Sequence, residues 1–249
     1  LILITPNLLL VLGYKINPFA SFFILLPLAW NYIAINGLID GAGLYYPYDI
    51  PALTFFAIGV ILFCRQKWLL FYPAFFLACL NRESACFISL AGFCILFTPF
   101  KGKSIKWIKE NKTILSHVGV QASIWVLSRI CLSYTFRDNP GSFFESPHSM
   151  IQFITTIGSG ESHWAMQNST WFLTLFAGIW VVPLVYLKRL NNRTRRLLIV
   201  GGVDLAVLAF RSNMMETRVY NELNIILGVS CLSLTARSNS AEESENGHS

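Results

Sequence analysis

Apolar residues in this chain come in blocks rather than in alternation. Residues 50–64, and 197–210 apart from Asp204, are nearly continuous apolar runs. A strand or a one-faced soluble helix interleaves polar positions, whereas such blocks suit segments buried on every side or facing lipid. A spanning helix needs about 20 apolar residues. By that measure the pattern predicts helical segments at residues 1–13, 19–38, 49–64, 113–136, 169–187, 197–210 and 222–234. Residues 68–80 and 83–97, separated only around Asn81-Arg82-Glu83, read as a tight helical hairpin.

Polar punctuation falls between these blocks. A Gly-rich turn surrounds Asp40, a long polar connection covers 137–167, and a basic loop covers 188–196. The basic stretch 101–112 keeps Ile105, Trp107 and Ile108 and is expected to lie along a membrane surface. The predicted fold is all-α: a polytopic transmembrane helical bundle of about eight or nine segments over residues 1–235. Residues 236–249 have no apolar content to pack and are expected to form a disordered polar tail. The chain starts at Leu1, inside an apolar run, and reads as N-terminally incomplete.

Composition agrees with that pattern. The chain is 54% hydrophobic and only 13% charged, with mean hydropathy +0.54. Soluble domains carry about 25% charged residues, so too few remain here to coat a water-facing surface. The net charge of +6 sits in short clusters between apolar blocks. That is the pattern of cytoplasmic loops rather than of a nucleic-acid footprint, and no nucleic-acid partner is expected. The six cysteines form no Cys-x-x-Cys pair and lie mostly inside apolar blocks, as buried small hydrophobes do.

Charge also orients the chain. With Lys15 inside and the side alternating at each span, every Lys and Arg falls inside except Arg82, Arg129, Arg137, Arg211 and Arg218. The C-terminus is then cytoplasmic, and a bacterial inner membrane is the expected location. Most acids sort to the outer side, among them Asp40, Asp49, Glu83, Glu216 and Glu222. Ionisable groups at membrane depth cost about 2.5–3.5 kcal/mol on insertion scales, so such a gathering marks a candidate site.

Three constellations carry the site hypothesis. Tyr48 and Asp49 enter a span ahead of Pro51; an aromatic anchor with an N-cap Asp accounts for them equally well. Asn81, Arg82 and Glu83 crowd one hairpin tip, with Arg82 suited to hold a phosphate. Arg211, Arg218 and Glu222 fall between the last two spans, where an ordinary loop with internal ion pairs is the alternative. Arg129 and Asp204 stand isolated in apolar spans, as partners of these groups or of each other.

Residues 45–96 pair an aromatic, Asp and Pro span entry with a basic turn at Arg65-Gln66-Lys67 and a charged hairpin tip at Asn81-Arg82-Glu83. This resembles the middle of the GT-C superfamily of multi-pass glycosyltransferases. The stretch Arg218-Val219-Tyr220-Asn221-Glu222-Leu223 is similar to late segments of uncharacterised bacterial membrane proteins. The resemblance implies transfer of a sugar from a polyprenyl-phosphate carrier at the outer face. It also implies a carboxylate base in the first outer loop, and Arg or Lys on the lipid phosphate. That loop should precede Leu1, so Asp40, Asp49 and Glu83 are only the acids left in outer positions. Asn81, Arg82, Arg211, Arg218, Glu222 and Tyr48 are the candidates for substrate contact. Membrane lipid and a polyprenyl-phosphate sugar are the implied partners. No metal-ligand spacing or other cofactor motif is present, although a divalent metal stays compatible with the family. A transporter or flippase-like carrier, and a non-catalytic membrane subunit, are the competing readings.

Overall fold

The computed structural model describes residues 1–30, 49–97, 104–138, 175–211 and 220–238. It is all-helical. The helices are α1 (Thr5–Leu12), α2 (Leu25–Ala29), α3 (Asp49–Cys64), α4 (Trp68–Asn81), α5 (Cys86–Leu96), α6 (Ser104–Thr135), α7 (Val181–Val185), α8 (Asn192–Arg211) and α9 (Asn221–Thr235). Short 3₁₀ turns cover Pro18–Ile24, Glu83–Ala85, Leu175–Gly178 and Leu187–Arg189. The only strand pairing among the described residues is a two-residue antiparallel bridge, Tyr14–Lys15 with Arg237–Ser238.

Helix ends follow local chemistry. Gly13 ends α1 at φ 93°, and its N–H reaches back to the carbonyls of Leu9 and Leu10. Glycine takes this left-handed position without a Cβ penalty. Asn191 caps α8: its side-chain oxygen accepts from the Thr194 N–H at 2.9 Å, satisfying a donor that the first turn leaves orphaned.

The core lies where α3, α5, α8 and α9 meet, with α4 and α6 packed on one flank and α1 with the 18–24 turn on the other. Close approach between α3 and α5 depends on two glycines. A β-carbon at Gly59 would sit 2.5 Å from Ile88, and one at Gly92 would sit 2.3 Å from the Phe63 ring. Phe63 in turn meets Trp68 and Phe71 edge-on at 5.2 and 5.6 Å. Outside this core the bundle keeps large apolar side chains on its exterior. Leu69, Leu70, Ile130, Tyr134, Val185 and Ile199 are all more than half exposed.

The sequence reading holds closely for α3, whose bounds are 49–64, and for the α4–α5 hairpin. It differs elsewhere. The surface stretch 101–112 and the span 113–136 are separate expectations, but the chain makes one helix from Ser104 to Thr135. No Pro interrupts this stretch, and Asn111 bonds the Trp107 carbonyl four residues back; a change of polarity alone does not stop a helix. In the expected span 169–187 the described part is broken instead. Phe176 and Ala177 take left-handed backbone at φ 57° and 56°, ahead of Gly178. The basic loop 188–196 is partly helix, because α8 begins at Asn192 and takes Arg193, Arg195 and Arg196 into its first turns.

Among the described residues one helix, Trp107–Thr135, is long and apolar enough to cross a membrane. α3, α4 and α9 are apolar but shorter.

Candidate functional site

The site is built from three helix ends, the turn after α4 and one helix middle. Asp49 opens α3, where the helix dipole favours an anion. At the other end of the hairpin arm, Arg82 leaves α4 in extended backbone, φ −150° and ψ 151°. That one extended residue reverses the chain into the Glu83–Ala85 turn and carries the guanidinium back across α3. Glu222 stands in the first turn of α9, directly after Tyr220 and Asn221. Asp204 lies in the middle of α8, which packs on both α5 and α9.

These groups converge. Arg82 Nη1 lies 3.3 Å from Asp49 Oδ1, with the aspartate fully buried and the arginine side chain 15% exposed. Ser84 Oγ donates a hydrogen bond to Glu222 Oε1. Glu222 is 2% exposed, and its second oxygen meets no hydrogen-bond partner among the described residues. A small, partly open pocket, with interior space of about 10 Å³, is lined by Asn81, Arg82, Ser84 and Glu222, with apolar walls from Ala52, Phe56 and Ile88. That is about the room one water molecule needs, far below the ~300–1,000 Å³ of a typical ligand cleft, so a headgroup enters only if the pocket widens.

Behind the pocket, Asp204 is fully buried, and among the described residues neither of its oxygens has a hydrogen-bond partner. It lies within electrostatic reach of Glu222 and Arg82. The hydroxyl of Tyr220, also fully buried, is close enough to feel the same carboxyl.

The hairpin tip is held from outside by α6. Trp125 Nε1 donates to the Glu83 carbonyl at 2.8 Å, and the Arg129 guanidinium donates to the Cys79 carbonyl. Arg129 thus binds the end of α4, where an α-helix leaves carbonyls unpaired.

The opposite end of the bundle is basic. Arg65 donates to Asn7 at 2.9 Å, and Arg193 to the Val11 carbonyl. Arg196 donates to the Phe97 carbonyl at 2.9 Å and stacks over the Phe97 ring at 4.5 Å. Arg65 and Phe97 lie at the ends of α3 and α5 opposite Asp49 and Arg82.

Of the sequence-stated candidates, Asn81, Arg82, Asp49 and Glu222 come together at this site. Glu83 does not join them: it is exposed, and its backbone rather than its carboxylate is engaged. Asp40, Tyr48 and Arg218 lie outside the described residues, and Arg211 closes α8 with its side chain also outside them. Ser84 and Tyr220 fall inside two of the constellations read from the sequence, but that reading gave neither a role. Each sits beside a charged residue it did single out, but a hydroxyl's partner is not readable from a single chain segment. Among the described residues no group of three His, Cys, Asp or Glu side chains is arranged to hold a metal ion. Compared with known proteins, the chain matches no family model, no curated protein and no solved structure.

Proposed function

We propose that the chain is a multi-pass protein of a bacterial inner membrane, and that its acid-rich end transfers a sugar from a polyprenyl-phosphate carrier. The observation that carries the reading is convergence. Residues 81–84 and 222, far apart in sequence, bring a guanidinium, a hydroxyl and a carboxylate to one small apolar-walled pocket, and Asp49 holds the guanidinium from the side. The apolar exterior supports the membrane setting, since large side chains such as Leu69, Leu70, Ile130 and Val185 are more than half exposed and suit lipid better than water. Segregation of Arg65, Arg193 and Arg196 to the other end agrees with a cytoplasmic basic face.

In this reading Arg82 binds the carrier phosphate through its planar fork, steadied against the pocket wall by Asp49. Glu222 takes the proton from an acceptor hydroxyl as that oxygen attacks the anomeric carbon. The bond between sugar and phosphate breaks, and the polyprenyl phosphate leaves with the bonding pair. Glu222 replaces Glu83 as the acid in position to act, because its carboxylate lines the pocket.

A carrier is the second reading. Asp204, buried within α8 in reach of Arg82 and Glu222, is the observation that favours it.

Purified protein in liposomes tests the first reading, with polyprenyl phosphate and its radiolabelled hexosyl ester as probes. Polyprenyl phosphate should raise the unfolding temperature, and label should pass to water or to an added saccharide. Arg82→Lys keeps the charge beside Asp49 but loses the fork, so binding and transfer should fall at least ~10-fold with the fold retained. Absence of both binding and transfer in the wild type sinks the transferase reading. Solute flux into the liposomes that Asp204→Asn abolishes favours the carrier.

A further inference from the structure

Among the described residues, the same end of the bundle buries three carboxylates, Asp49, Asp204 and Glu222, with the guanidinium of Arg82 beside them. Asp49 has that guanidinium at 3.3 Å. Glu222 has the Ser84 hydroxyl on one oxygen only. Asp204 has no hydrogen-bond donor among the described residues, and Tyr220's hydroxyl, fully buried beside it, also goes unused. Buried ionised oxygens without donors or counter-charge are not a stable arrangement; burial demands a paired positive charge or a proton. The two unfilled acids come from neighbouring packed helices, α8 and α9, and approach each other closely enough to interact.

We infer that Asp204 and Glu222, with the Tyr220 and Ser84 hydroxyls, form a binding site for one small monovalent cation. The ligand is either a proton bridging the two carboxyls or an alkali ion coordinated by their oxygens. Two carboxylates and two hydroxyls supply the hard oxygen donors such an ion requires. A divalent ion is the poorer fit, since no third acid completes a chelating group among the described residues. Among the described residues, the groups facing Asp204 from the surrounding elements are Cys86 of α5, Tyr220 and Glu222 at the start of α9, and Arg82 at the hairpin tip. Arg82 is the sole cation of that set and is shared with Asp49. The site rests on burial and charge, and it stands whether or not the pocket transfers sugar.

Cation binding to the folded state alone raises stability by mass action. The experiment therefore follows the unfolding temperature of the purified full chain in two series. One replaces choline chloride by sodium chloride at constant ionic strength and pH; the other varies pH in choline buffer. A rise of roughly 2–5 °C per tenfold increase in sodium, lost in Asp204→Asn, identifies an alkali-ion site. A flat sodium response with a rise on acidification, reduced in Asp204→Asn and in Glu222→Gln, identifies a bound proton. The sign is fixed: a proton held only in the folded state adds stability as pH falls and withdraws it as pH rises. Glu83→Gln, at an exposed acid outside the site, should alter neither series. The inference is overturned if both dependences survive unchanged in both site variants. Should neither variant fold, a wild type insensitive to both sodium and pH overturns it equally.

Discussion

At Gly92 a β-carbon would meet Cγ of Phe63 at 2.3 Å, inside any real contact distance, and Phe63 is itself fully buried between Trp68 and Phe71. The ring has nowhere to go. Gly92→Ala should therefore destabilise the bundle by about 1–3 kcal/mol through overpacking. Gly119, on α6, has open space around the same position. Gly119→Ala should instead add up to about 1 kcal/mol, because alanine is the better helix former. Denaturant titration of the two variants in one detergent checks both signs, and equal effects would contradict the packing described. The candidate site has the same property at residue scale. Arg82 was legible because a charged tip between apolar arms is conspicuous. Asp49 was legible as an acid at a helix start, but its pairing with Arg82 was not.

At the scale of elements, the α4–α5 hairpin is the device that presents the site, and α6 holds its tip. Trp125 supplies an indole N–H to the Glu83 carbonyl, and Arg129 supplies a guanidinium to the end of α4. Trp125→Phe keeps most of the packing and removes the donor, so the cost should be near 0.5–1.5 kcal/mol. Its signature is local: amide exchange at residues 82–86 should accelerate while exchange in α9 stays unchanged. Uniform acceleration would mean that Trp125 serves general packing instead. The hairpin was readable from two apolar runs around three polar residues. The clamp was not, because Arg129 gave no sign of whether it faced Asp204, another arginine's partner or a helix end.

At the scale of the whole molecule, charge is distributed by end. Asp49, Arg82 and Glu222 occupy one end, while Arg65, Arg193 and Arg196 occupy the other. α3, with 16 residues, separates the two by about 24 Å at 1.5 Å per residue. That is close to the roughly 30 Å of a bilayer's hydrocarbon core. If the proposed orientation holds, a membrane-impermeant maleimide should label Glu83→Cys on intact cells. Lys67→Cys should react only after lysis. Both belong in a background lacking exposed Cys131. Labelling of the two positions to the same extent on intact cells would rule the orientation out.

Apolar blocks and their polar punctuation were enough to determine that the chain is helical, where α3, α4 and α5 lie, and which residues are too polar for their surroundings. These follow from local properties: helix propensity, block length and the cost of burying charge are set within a few turns of chain. Only the tertiary structure decided which of those polar residues meet. The Ser84–Glu222 hydrogen bond spans 138 positions and the Arg82–Asp49 pair spans 33. No local rule selects such partners, because they depend on which helices pack and at what height. Packing also decided that Glu83 faces outward while Glu222 lines the pocket. It brought Asp204, isolated in its apolar run, into the same buried cluster, where its charge has to be answered.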